Sequence, residues 1–302
     1  MKSRLLLIAG ACLCAVGLSA CCSQPKQSEP VKKEVGIQLY SVRELIGVFG
    51  KSEGDYKPVL QALAEMGYTS VEAASYKDGL IYGQTPEQFR QDVEAAGMKV
   101  LSTHCTFNLS DEELAEGDFS RALEWWDVCI DAHKRAGVKY IVAPSMRRVK
   151  TLAELDTYCR YFNEVGARCN AAGIRFGYHN HSREFEKIEE RVMLDYMLEN
   201  TDPDKVFFQM DVYWAVMGQA SPVDYFNKYP GRFRLLHIKD RREVGQSGMV
   251  GYDAIFRNAE TAGVENIIVE MEGSSYGDVL RSVRECIDYL LAATFVEPSY
   301  EK

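Results

Sequence analysis

The stretch IRFGYHNHSREF, Ile174 to Phe185, decides how the rest of the chain is read. It opens as a strand, with Ile174, Phe176 and Tyr178 on one side and Gly177, His179 and His181 on the other. Side chains alternate across a strand, so two imidazoles project together from its C-terminal end. Three later apolar runs repeat the arrangement: FFQMDVYW delivers Asp211, RLLHIKD delivers His237 and NIIVEMEG delivers Glu270. One imidazole or carboxylate at the end of each successive strand is how a parallel barrel assembles a metal site.

Outward from that stretch, strand and helix patterns alternate eight times. The expected strands are Val35–Val42, Ser70–Ala74, Lys99–Cys105, Tyr140–Met146, Arg175–His181, Val206–Trp214, Phe233–Asp240 and Asn266–Glu272. Amphipathic stretches between them include Pro58–Met66, Pro86–Ala96, Phe119–Ala136 and Leu152–Ala172, and Gly277–Ala293 is the expected last helix. Gly67, Gly97, Gly137, Gly173 and Gly263 each end a helical pattern and lead into an apolar run. Recurring at this period, they punctuate βα units, and eight units predict a (β/α)8 TIM barrel with right-handed crossovers. An open doubly wound sheet fits less well, since no glycine-rich dinucleotide loop follows the first strand.

The 302 residues are 46% hydrophobic and 26% charged, which suits one large α/β domain or two small ones, and no boundary shows within 35–302. With a net charge of −9 and no long run of Lys or Arg, nothing in the chain is suited to track a phosphate backbone, and no nucleic-acid partner is expected. Residues 1–21 read as a lipoprotein signal peptide. Lys2 and Arg4 precede the apolar Leu5–Leu18, and Leu18-Ser19-Ala20-Cys21 resembles a bacterial lipobox in which Cys21 is acylated. An ordinary signal peptide or an uncleaved anchor is the plainer alternative. Residues 22–34 read as a polar tether and 35–302 as the barrel, so the expected setting is a lipid anchor on a bacterial membrane, outside the cytoplasm. Cys105, Cys129, Cys159, Cys169 and Cys286 lack metal-type spacing and read as buried small apolar residues, with a Cys159–Cys169 bridge as the alternative.

The inward positions form a consistent set: Gln38, Tyr40, Glu72, Ser102, His104, His179, His181, Gln209, Asp211, His237, Lys239, Glu270 and Glu272. Four of the five histidines fall at strand ends, and only His133 lies within a helical pattern. Glu72, Asp211, Glu270 and Glu272 would converge at one mouth, where Lys239 offsets one negative charge. Uncompensated buried charge costs several kcal/mol, so a divalent cation is the economical counter-charge. Imidazole and carboxylate ligands suit Mn²⁺, Zn²⁺, Co²⁺ or Fe²⁺, with Mg²⁺ as a harder alternative. The metal set is His179, Asp211, His237 and Glu270, with His181 competing with His179 for the fourth position. Glu270, His181, His104 and Lys239 are the candidate acid/base groups, and Glu72, Trp214, Gln38 and Glu272 the candidate substrate contacts. Trp214 would stack on a sugar face.

At these residues the chain resembles a known group. HNHxxEF at His179–Phe185, DxYW at Asp211–Trp214, HIKD at His237–Asp240 and VExE at Val269–Glu272 are similar to motifs of the xylose isomerase-like barrels. These form the sugar phosphate isomerase/epimerase superfamily, which includes inosose dehydratases and endonuclease IV. The resemblance covers Val35 to about Leu291 and implies a metal held by strands five to eight, onto which Asp211, His237 and Glu270 map. Ketose epimerases carry a glutamate at the end of strand five, where this chain has His179, so only the strand-eight member of their pair of glutamate bases is present. The histidine-rich fifth strand is closer to the inosose dehydratases, which remove a proton next to a ketone and expel a β-leaving group.

The expected function is metal-dependent chemistry on an unphosphorylated sugar or keto-sugar through an enediolate, of the isomerase/epimerase kind. A lyase acting on a keto-sugar or keto-glycoside shares the first proton transfer, and a non-catalytic sugar-binding lipoprotein shares the fold. The unphosphorylated substrate follows from location, since sugar phosphates are scarce outside the cytoplasm.

Overall fold

The computed structural model describes residues 32–49 and 54–301. Eight parallel strands close into a barrel in sequence order: β1 (Gly36–Gln38), β2 (Ser70–Ala73), β3 (Lys99–His104), β4 (Tyr140–Ala143), β5 (Arg175–His179), β6 (Val206–Asp211), β7 (Leu235–Ile238) and β8 (Asn266–Val269). β1 closes the ring by pairing with both β2 and β8. This is the (β/α)8 architecture expected from the alternation.

The helices outside it start and stop where local chemistry directs. Thr85 accepts a hydrogen bond from Gln88 N at the head of Pro86–Ala95, and Thr151 does the same from Glu154 N at the head of Leu152–Ala171. Gly137, at φ 75°, ends Ser120–Ala136, because a left-handed residue there lets its N–H return to the last turn. Among the described residues no helix is long and apolar enough to cross a membrane.

Every strand is shorter at its C-terminal end than its apolar pattern suggests, and at three of them a side chain redirects the backbone. Gln38 Oε1 accepts from Tyr40 N, so the chain leaves β1 into a 3-10 turn over Leu39–Val42. Asp211 Oδ1 accepts from Trp214 N and starts the helix Val212–Met217, which places Trp214 on a helix instead of a strand. Glu184 Oε2 accepts from His181 N and folds the exit of β5 into a turn over Ser182–Phe185. Polar tips thus stop the ladder by offering the backbone another acceptor.

Inside the barrel, Leu101, Tyr140, Val142, Phe207, Leu235 and Ile268 form an apolar floor. Each such side chain contributes roughly 1.5–3 kcal/mol by leaving water. Gly177 makes room for it, since a Cβ there would stand 2.6 Å from the Phe207 ring. Above the floor the interior turns polar.

Two expectations change here. Lys33 donates to the carbonyls of Leu290, Leu291 and Ala293, and Glu34 N donates to Pro298 O, so these two residues belong to the barrel and not to a tether. Cys159 and Cys169 are free and buried; ten residues apart on one helix, they stand about 15 Å apart along its axis, too far for a disulfide. The lipobox cysteine Cys21, the signal peptide and the tether up to residue 31 lie outside the described residues.

Candidate metal centre and active site

The C-terminal ends of β5 to β8 bring His179, Asp211, His237 and Glu270 together, one ligand atom from each, all within 4.8 Å of one another. Register explains the gathering: Asp211 pairs with His237 across β6 and β7, and Gln209, one layer below, pairs with His179 across β5 and β6. All four residues are at most 5% exposed. His181 is not in the group. Its ring stands 4.8 Å from that of His179, so His179 belongs to the group that could hold a metal ion and His181 lies beside it.

Each of the four is held so that one atom faces its neighbours. Asp211 uses Oδ1 to cap the helix, while the buried Oδ2 has no hydrogen-bond partner among the described residues and lies 4.0 Å from His179 Nε2. His179 Nδ1 sits 3.1 Å from Gln209 Oε1. His237 lies between two carboxylates, Nε2 at 2.6 Å from Glu72 Oε1 and Nδ1 at 3.2 Å from Glu270 Oε2. Lys239 approaches the same Glu270 oxygen at 3.4 Å and Glu272 at 3.1 Å.

Burial and mutual contact move all four groups from their ordinary values. Burial pushes Asp211 up to about 8, Lys239 opposes it and the charge of Glu270 adds to it. Burial alone would lower His237, but the carboxylates of Glu72 and Glu270 outweigh it and carry the ring to about 10. Burial would raise Glu270, yet Lys239 and His237 hold it well below the usual carboxylate range. His179 is driven well below the ordinary imidazole value by burial and then by the neighbouring histidines, so it is neutral. An orphaned carboxylate oxygen, a neutral imidazole, a second carboxylate and a second imidazole at mutual ligand distance are a fitting donor set for a divalent metal ion.

A cavity of about 230 Å³ opens beside this group, lined by Tyr40, Phe49, Ala74, His104, Pro144, Ser145, His179, His181, Glu270 and Glu272. Being smaller than the ~300 Å³ of drug-sized sites, it suits one sugar unit. A larger cavity of about 600 Å³ lies at the strands' N-terminal ends, among Ser70, Lys99, Lys139 and Asn266, away from every residue of the metal group.

Of the eight expected acid/base and substrate-contact residues, His104, His181, Glu270 and Glu272 line the smaller cavity. Four others do not. Gln38 and Glu72 are fully buried below it, bonded to each other at 2.8 Å, so neither is positioned to touch a substrate. Lys239 is 1% exposed, is not on the cavity wall and pairs with Glu270 and Glu272. Trp214 is not on the cavity wall; it packs 5.7 Å from His181 with Lys239 Nζ 5.6 Å from its ring centre. The aromatic rings on the wall are Tyr40 and Phe49, 5.7 Å apart, with Phe49 71% exposed.

Sequence reasoning assigned no role to Gln209, Asn180 or Glu184. Asn180 brackets Asp211, donating to its carbonyl and accepting from its N–H. Glu184 accepts from Tyr178 Oη and His181 N, which fixes the loop carrying His181. The His181-x-x-Glu184 spacing is that of a capping box and was a readable signal; Asn180 left none.

Known proteins agree with this architecture. Residues 60–292 match the family described as Xylose isomerase-like TIM barrel. A crystal structure of a sugar phosphate isomerase/epimerase from Parabacteroides distasonis is 35% identical, with a TM-score of 0.78 over 88% of this chain and 96% of that one. An inosose dehydratase from Geobacillus kaustophilus is 24% identical over 200 residues, and the chain spans 61% of that protein's length and 61% of its own. An L-ribulose 3-epimerase structure, 14% identical with a TM-score of 0.64 over 85% of this chain and 93% of that one, shares the fold. A family match over more than three-quarters of the sequence, on a barrel whose strand ends gather these donors, places the chain in the xylose isomerase-like TIM barrel family.

Proposed function

We propose that the protein is a divalent-metal-dependent enzyme that removes the proton next to the carbonyl of an unphosphorylated keto-sugar. The observation that carries this reading is the buried, partnerless Asp211 Oδ2 among His179, His237 and Glu270, beside a cavity of sugar size. When bound, the ion would act as a Lewis acid toward the substrate carbonyl and its neighbouring hydroxyl. His179, Asp211, His237 and Glu270 would hold it.

The rest of the chemistry falls to the chain's own groups. Burial lowers His181, which leaves a neutral imidazole on the cavity wall suited to take the α-proton near pH 7. Glu270 is held too firmly ionised to be a strong base and serves as a ligand, while Lys239 keeps it and Glu272 charged. His104, also on the wall, is placed to return a proton to the adjacent carbon or to a departing β-oxygen. Tyr40 and Phe49 offer apolar ring faces to the sugar.

The first outcome is isomerisation or epimerisation and the second is elimination. Elimination is favoured by His179 in place of a second glutamate and by relatives named inosose dehydratases. The lipobox reading of Cys21 puts the protein outside the cytoplasm on a lipid anchor, which is the reason for choosing an unphosphorylated substrate.

Solvent deuterium exchange into a panel of keto-sugars with added Mn²⁺ tests the proposal. Exchange that disappears in Asp211→Ala supports it, and an enone product selects elimination. Saturable sugar binding with no exchange would replace it with a capture protein.

A further inference from the structure

Resting on the metal reading above, we infer that Glu72 is a positioning residue: it sets which nitrogen faces the metal group in His237 directly and in His179 through Gln209. Glu72 is fully buried and its two oxygens receive four contacts. Gln38 Nε2 donates to Oε1 at 2.8 Å, His237 Nε2 lies 2.6 Å and His104 Nε2 3.1 Å from the same oxygen, and Gln209 Nε2 donates to Oε2 at 2.9 Å.

An ionised carboxylate accepts and never donates. His237 must therefore carry a proton on Nε2, which directs Nδ1 to the side of Glu270. Gln209 must turn its amide nitrogen to Glu72, which leaves its oxygen to accept from His179 Nδ1 at 3.1 Å and His104 Nε2 at 2.9 Å. That in turn places the lone pair of His179 on Nε2, the nitrogen facing Asp211 Oδ2. One carboxylate on β2, on the far side of the barrel from the donors, orients two donors, one directly and one through an amide. Partners of this kind govern metal affinity by about 10–100-fold.

Glu72→Gln keeps the shape but puts an amide nitrogen where Oε2 accepted from Gln209, while its carbonyl goes on accepting from Gln38 and His237. Gln209 then turns over and presents hydrogens to His179, whose Nε2 becomes protonated toward the metal group. Co²⁺ binding, followed by calorimetry and by the visible absorption of the ion, should weaken by about 10–100-fold with an altered spectrum. The exchanged pair Glu72→Gln/Gln209→Glu restores an acceptor to His179 and should recover most of the affinity, which a purely structural role does not predict. Wild-type affinity and spectrum in Glu72→Gln would overturn the inference while leaving the metal reading intact. No Co²⁺ binding by the wild type would remove both. Nitrogen-15 imidazole shifts of the Zn²⁺-loaded wild type give an answer that needs no variant: the inference requires hydrogens on His237 Nε2 and His179 Nδ1, and the opposite pattern refutes it.

Discussion

Two buried clusters in this barrel gather the same kinds of atoms and use them differently. At the strand ends, His179, Asp211, His237 and Glu270 stand within ligand distance. Behind β3, Cys105, Cys129 and His133 do so too. In the second cluster every group is answered: His133 Nδ1 donates to Cys129 O at 2.7 Å, its Nε2 sits 3.6 Å from Cys105 Sγ, and the Tyr76 ring covers it at 4.8 Å. In the first, a carboxylate oxygen is left without a partner, and a histidine is held cationic between two acids. Donor proximity alone does not make a metal site. A buried carboxylate oxygen with no partner beside a neutral imidazole is the stronger pointer, because a bound cation would supply the partner that oxygen lacks.

The sharpest way to break this contrast is Asp211→Ala. Deuterium exchange into the keto-sugar should fall on the order of 10³-fold. The metal-free fold should lose only the helix cap, about 1 kcal/mol by chemical denaturation. A variant that still exchanges would put the two clusters on an equal footing. His181→Gln should come next, lowering exchange by roughly 10²–10⁴-fold while Co²⁺ affinity stays within a few-fold of wild type. Equal losses of metal and activity would return His181 to the ligand set.

Proton uptake distinguishes the clusters more gently. Asp211 and His237 both have folded values above their ordinary ones, about 8 and about 10. Their contribution to the stability of the metal-free protein is therefore present at low pH and lost as pH rises. For Asp211 the loss runs from 3.8 through about 8, and for His237 from 6.5 through about 10. Mn²⁺ binding at pH 7 should release about two protons per ion, read by calorimetry in buffers of different ionisation heat, and affinity should climb with pH across the same range. Release of none would mean that neither group is a ligand. The smallest effect belongs to the second cluster. Cys129→Ala should cost about 1 kcal/mol and leave metal content unchanged by mass spectrometry. A fall in content would show that the cysteine cluster binds metal as well.

Much of the site was legible because strand ends in a parallel barrel share one face. His179, Asp211, His237 and Glu270 could be chosen from four short runs, each by its position after apolar residues. The residues that were misplaced fail for a common reason. Gln38, Glu72, Lys239 and Trp214 also sit at or near strand ends, yet backbone capping and mutual pairing turned them below or behind the cavity. Alternation gives the side of a strand a residue occupies but not its depth along the barrel axis, and depth separates a ligand from its support.

By itself the sequence determined the period, the parallel barrel and the chemical types at its mouth, because alternation, helix-ending glycines and apolar runs act over a few residues. Only the tertiary structure decided which histidine joins the donors, which oxygen of Asp211 is left over, and that Glu72 reaches His237 across 165 residues of chain. Those outcomes depend on ångström-scale register between strands distant in sequence, and local pattern carries no record of it.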